Sequence, residues 1–134
     1  MSDDYVAEVF PLLWSNDVEA LLNWAVSTLG LRESWRAPGE DGRIEHAELH
    51  WINGKISINI DKGLGMGPSG ISLRVDNRET VDETHKRAAS SGANISQRPE
   101  DSLVAYSFTA TDPDGNQWWV NAESGFLDEL RTIG

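Results

Sequence analysis

The same punctuation occurs twice in this chain. In each half an apolar-periodic stretch stops at a glycine, and alternating runs then close on a second glycine turn. Gly30 and Gly54 lie 24 residues apart, and Gly92 and Gly115 lie 23 apart. Before Gly30, the residues Val18, Leu21, Leu22, Ala25, Val26 and Leu29 follow i, i+3, i+4, i+7 spacing, one apolar stripe of a helix. Asn16 or Asp17 supplies its N-cap. Before Gly92, residues 79–91 read as a second helix, with Val81, Thr84 and Ala88 inward. Glycine ends both helices because it takes the left-handed conformation at low cost.

The remaining runs read as strands. Residues 6–14 form the first, and Pro11 inside it demands a sheet margin, since proline donates no ladder hydrogen bond. Residues 31–36, 43–51 and 55–60 complete the first half, with a Pro/Gly loop over 37–42. Residues 61–69 form a glycine-rich, mobile linker. In the second half the strands are 70–76, 95–98, 103–111 and 117–122, the last two joined by the turn Asp112-Pro113-Asp114-Gly115-Asn116. A short helix over 124–133, docked by Phe126, Leu127 and Leu130, ends the chain. The predicted fold is therefore α+β. It is a single domain, 1–134, made of two tandem βαβββ modules (5–61 and 70–122) plus the terminal helix. The modules build a curved mixed sheet with helices on its convex side and a concave side left open for a ligand. A twofold repeat of this length is not a solenoid.

Asn53-Gly54 is the strongest short hairpin signal in the chain, because a type I′ turn needs positive φ at both central positions. With those two residues as the loop, Trp51 faces Ile56, Leu49 faces Ile58 and Ala47 faces Ile60. His50, Glu48 and His46 then face Ser57, Asn59 and Asp61. One face is wholly apolar and the other wholly polar, and a one-residue slip destroys that agreement.

Composition narrows the function. The 134 residues are about the size of one domain, enough to bury a core. The absence of cysteine excludes disulfides, thiolate metal sites and thiol nucleophiles. The acidic start, Met1-Ser2-Asp3-Asp4, does not resemble a secretory signal, and no apolar run reaches the length of a membrane span, so the expected location is cytoplasmic. A net charge of −11 repels phosphate backbones, so no nucleic-acid partner is expected, and the same field suits a cationic ligand. No Gly-x-Ser-x-Gly elbow is present for a serine hydrolase. Six tryptophans are the compositional oddity; such rings fill cores but also line small-molecule pockets.

Three segments carry a family resemblance. Asn16-Asp17-Val18-Glu19-Ala20 leads into a helix ending Thr28-Leu29-Gly30-Leu31. Arg74-Val75-Asp76-Asn77 ends a strand before the second helix. Asp112-Pro113-Asp114-Gly115-Asn116-Gln117-Trp118-Trp119 forms the closing turn and strand. Together with the doubled order, these resemble the vicinal oxygen chelate superfamily, also called the glyoxalase/bleomycin-resistance/dioxygenase superfamily. His46-Ala47-Glu48-Leu49 and Trp118-Trp119 are most similar to its PhnB-like or glyoxalase-like branch. The resemblance implies one divalent metal held by His, Glu or Gln on the concave strands. Its positions fall here on Phe10, Gly70 and Trp119, with Asn59 nearest to the fourth. Shifts of one or two residues reach Glu8, Ser72 or Asn121, of which only Glu8 is a good metal ligand. No metal, cofactor or catalytic residue is therefore assigned.

Strand alternation places Phe10, Trp14, His46, Glu48, His50, Asn59, Arg74, Trp119 and Asn121 on the concave side as the candidate ligand-binding set. Arg74 is its anion anchor, since a guanidinium forks onto carboxylates. The rings also fit simple core packing, and His46, Glu48 and His50 also fit an ordinary solvated strand face. Three functions follow from the resemblance. The first is a metal-independent protein that binds a small organic ligand, similar to the resistance proteins that sequester antibiotics, with the pocket at or near a homodimer interface. The second is a metal-dependent lyase, isomerase or dioxygenase whose displaced site gathers Glu8 with His46, Glu48 or His50. The third is a regulatory or structural module without a ligand.

Overall fold

The computed structural model describes residues 7–133. Each half builds one four-stranded mixed sheet. The first consists of β1 (Leu12–Ser15), β2 (Arg32–Pro38), β3 (Ile44–Trp51) and β4 (Gly54–Ile60), in the order β1-β4-β3-β2. The second consists of β5 (Gly70–Val75), β6 (Asn94–Asp101), β7 (Ala105–Thr111) and β8 (Gln117–Glu123), in the order β5-β8-β7-β6. In both sheets the first strand of the half runs parallel to the last, and the other pairs are antiparallel. The α+β class and the tandem modules agree with the sequence reading. The sheet itself is divided: among the described residues no ladder joins β1–β4 to β5–β8.

Proline sets the sheet margins. β1 begins only after Pro11 and lies at an edge, so residues 7–11 do not extend the strand, and the start expected at Val6 lies outside the described residues. Pro11 still contributes its carbonyl, which accepts from Ser57 N at 3.0 Å. Pro38 and Pro99 also lie on edge strands, β2 and β6, where the register is irregular and a missing donor costs least.

Asp17 caps the first helix, α1 (Val18–Trp24), by accepting from Ala20 N at 3.1 Å. The helix widens into a π turn over Ala25–Leu29 before Gly30, at φ 80°, closes it. A wider turn leaves carbonyls short of donors. Arg87 supplies them from α2 (Arg78–Ser90): its Nε donates to Ser27 O and its Nη2 to Val26 O, both at 3.0 Å. One hydrophobic core runs through both halves, from Leu13, Leu21 and Ile58 to Leu73, Phe108 and Val120. Trp24 of α1 meets the fully buried Trp118 of β8 at a centroid distance of 5.7 Å. Asp114, in the β7–β8 turn, accepts from Ser15 Oγ at 2.6 Å and from Asn16 N at 2.9 Å.

The segment after β4 is organised rather than loose. The Asp61 carboxylate accepts from the backbone N–H groups of Leu64, Gly65 and Met66 at 2.6–3.3 Å. These donors hold its pKa below the usual carboxylate value, against the opposing effect of burial. The terminal helix α3 (Gly125–Ile133) keeps Leu130 44% exposed. Of the three residues expected to dock it, Phe126 and Leu127 are half-buried, and Arg131 adds an ionic tie to Glu123.

The β3–β4 hairpin corrects the expected register by two residues. Its loop is Ile52-Asn53, closed by the Trp51–Gly54 pair, so Leu49 faces Ile56 and Ala47 faces Ile58. A slip of two keeps every side chain on its face, so alternation could not detect it. β4 must also pair with β1, where Leu13 faces Ile58, and that second ladder constrains the register from the other side. The cost falls on Ile52, a β-branched residue held at φ 47° and 75% exposed. Left-handed geometry is strained for such a side chain. Ile52→Asn is expected to stabilise the fold by about 1 kcal/mol, read as a higher urea midpoint at unchanged m-value.

Candidate functional site

Trp118 and Trp119 point to opposite faces of β8. Trp118 is fully buried and its Nε1 donates to Asp112 Oδ2 at 2.8 Å; Trp119 is 39% exposed. The Trp119 ring leans over Gly70 on the neighbouring parallel strand. A Cβ built on Gly70 would come within 2.8 Å of the ring's Cζ3. The open position on β5 and the bulky one on β8 are therefore complementary, and the indole uses the space that a side chain at 70 would need.

Beside this ring lies a hollow of about 430 Å³. Ser72 and Arg74 of β5, Gln97 and Glu100 of β6, Ser107 of β7 and Asn121 of β8 line it, with Val104 at its rim. The polar groups are held in place. Asn121 Nδ2 donates to Ser72 Oγ at 2.8 Å and to the carbonyls of Leu73 and Trp119 at 3.3 Å. That turns Oδ1 toward Arg74, whose Nε donates to it at 2.5 Å. Arg74 Nη1 meets Glu123, which also takes both terminal nitrogens of Arg131 at 2.5 Å. Gln97 is fixed by Ser107 O and Thr109 Oγ1.

Of the nine predicted site residues, the structure gathers Arg74, Trp119 and Asn121 around this hollow. The other six lie on the first sheet or, for Phe10, just before its edge strand, and do not join them. Phe10 has its ring 4.5 Å from Lys55 Nζ. Trp14 borders a separate hollow of about 390 Å³ beside Asp61 and Asp114. His46 Nδ1 lies 2.6 Å from Asn59 Oδ1 and borders a larger trough, about 720 Å³, between the β2–β3 loop and Lys62. Besides His46 and Lys62 that trough is lined by Glu40, Asp41, Glu45 and the Pro38–Gly39 turn, and none of the candidate Phe or Trp rings borders it. His50 Nε2 lies 3.0 Å from Glu48 Oε2. The His50 contact holds the Glu48 pKa below its usual value; partial burial opposes this, and a hydrogen bond from Ser34 and the Lys55 charge reinforce it.

Gln97, Glu100, Val104 and Ser107 were not anticipated as site residues. Ser107 was within reach of the sequence: the Asp112–Asn116 turn puts it opposite Asn121, on the same face. β6 gave no such signal, because its ladder shifts register twice around Gln97 and Pro99.

The model of the Glyoxalase/Bleomycin resistance protein/Dioxygenase superfamily matches residues 4–120. The chain belongs to this superfamily. Solved structures agree on the fold. TioX from Micromonospora sp. ML1 superposes with a TM-score of 0.72 at 21% identity, covering 87% of this chain and 100% of that one. TnmS3, an antibiotic binding protein from Streptomyces sp. CB03234, gives 0.68 at 23%, covering 90% and 99%. A lactoylglutathione lyase from Agrobacterium tumefaciens gives 0.70 at 17%, covering 93% and 98%. No curated protein matches the sequence.

Superfamily membership raises the question of a divalent metal, and the residues at the carried-over positions do not suit one. Phe10, Gly70 and Trp119 offer no donor, and the ring covers Gly70. The alternative set around Glu8 is not assembled either. Glu8 Oε2 lies 2.6 Å from Lys55 Nζ, and that ammonium also approaches Glu48 at 3.9 Å, so a cation already sits between the acids. Among the described residues, no three His, Asp or Glu side chains are grouped to hold an ion.

Glu123 makes this site sensitive to acid. Arg131, hydrogen-bonded to it, holds its carboxyl below the usual 4.5, burial opposes the shift, and the charge of Arg74 adds to it. A depressed folded-state pKa contributes stability above the unfolded value, and that contribution is lost as pH falls through the folded value. The melting-temperature gap between the wild type and Glu123→Gln should be constant above about pH 5 and should close below it, as followed by circular dichroism melts.

Proposed function

We propose that this protein is a metal-independent binder of a small organic molecule, held against Trp119 in the hollow of the second sheet. One observation carries the reading: a bulky indole, seated over Gly70, occupies positions where the superfamily resemblance expects metal donors. A half-exposed ring beside fixed polar groups suits stacking and enclosure rather than bond-making. TnmS3, which shares the fold, is an antibiotic binding protein, and sequestration of an antibiotic-like compound in the cytoplasm is the role proposed here.

The working unit is a homodimer. Phe10, Leu12 and Val104 each expose more than 40% of their surface, and Trp119 39%. A second copy would cover such apolar area and deepen an open hollow. Among the described residues no helix is long and apolar enough to cross a membrane.

Tryptophan fluorescence titrated with a panel of planar aromatic compounds tests the binding. Quenching should saturate, and Trp119→Ala should weaken affinity about tenfold or more while far-ultraviolet circular dichroism is unchanged. Unaltered affinity in that variant overturns the reading. Sedimentation should give twice the 14.8 kDa chain mass; a monomer at micromolar concentration removes the dimer.

A further inference from the structure

We propose that the hollow selects planar aromatic ligands that carry a carboxylate or a comparable anionic oxygen group, with Arg74 and Ser72 as the donors beside the Trp119 ring. The inference rests on the pocket reading above and adds the ligand's charge to it.

Three features support this. First, the guanidinium of Arg74 is oriented in advance. Asn121 is 5% exposed and its amide nitrogen is committed to three acceptors, so its oxygen has one direction left, toward Arg74 Nε. The guanidinium is thereby held in one orientation, with Nε on Asn121 and Nη1 on Glu123. Second, donors remain there. Nη2 of Arg74 has no partner among the described residues, and the Arg74 side chain is 46% exposed, so a ligand can reach it. Ser72 Oγ accepts from Asn121 and retains its own hydrogen to donate. Third, the carboxylate that meets Arg74, that of Glu123, is shared with a second cation, Arg131. Glu100, which also lines the hollow, stands on the exposed edge strand β6.

The net charge of −11 points toward cationic ligands, but it acts at long range. Screening at physiological salt cuts such a field off within about 8 Å. A ligand stacked on Trp119 therefore senses the neighbouring guanidinium more than the scattered surface acids. The global charge reduces the rate at which an acid arrives, and the local donors favour its retention.

Three probes of one shape test the assignment: 2-naphthoate, 2-naphthamide and 2-naphthylmethylammonium, titrated calorimetrically into the full chain at pH 7 and 0.15 M salt. The acid should bind about tenfold tighter than the other two. Arg74→Gln should bring the acid level with the amide, with an unchanged far-ultraviolet circular dichroism spectrum as the check on folding. Glu123→Gln removes the carboxylate that competes for Nη1 and should tighten the acid alone. If all three probes bind in a Trp119-dependent way but the amide or the ammonium equals the acid, the anionic class is wrong and the pocket stands. If none shows Trp119-dependent binding, the pocket reading fails as well.

Discussion

The pleat of β8 governs this molecule. Successive side chains on a strand leave opposite faces, so the adjacent Trp118 and Trp119 serve different ends. Trp118 is sealed in the core, its indole nitrogen held by Asp112 and its ring against Trp24. Trp119 is thereby forced outward onto the face that carries Ser72, Arg74 and Asn121. Burying one ring fixes the direction of the other, and the ladder with β5 sets it over a glycine. The indole wall of the hollow is thus a by-product of the core's own alternation.

Electrostatics on the two sheets follow different patterns. On the first, Lys55 lies among Glu8, Glu48 and the Phe10 ring, and His50 leans on Glu48. These charges satisfy one another, at separations where solvent-exposed pairs contribute little to stability. On the second, Glu123 is outnumbered by arginines, and an asparagine rather than an acid holds the inner side of Arg74. A neutral partner orients the guanidinium without cancelling its charge.

Much of this architecture is legible in the sequence where a local rule and a global need coincide. The helix stop at Gly30, the edge position after Pro11, the Asp17 cap and the alternation of Ile71, Leu73 and Val75 are all of that kind. The hairpin register is not, because Asn53-Gly54 favours one loop, the β1–β4 ladder another, and a two-residue slip is invisible to patterning. The candidate site was half legible. Parity put Arg74, Trp119 and Asn121 on one face, where they border one hollow, but the expectation of one continuous cup merged residues from two separate sheets. The widened turn at Ala25–Leu29 had no sequence signal, since its missing donors come from Arg87, some sixty positions downstream.

That long reach of Arg87 bears on how such a chain arose. A duplicated module that kept its own closed core could be cut free and still fold. Here the first helix borrows hydrogen bonds from the second, and Trp24 borrows a neighbour from β8. A polypeptide ending near Asp61 would lose the Arg87 hydrogen bonds to Val26 O and Ser27 O and leave the Trp24 indole without its Trp118 neighbour. The doubling visible in the glycine spacing is carried by two modules that share one apolar core.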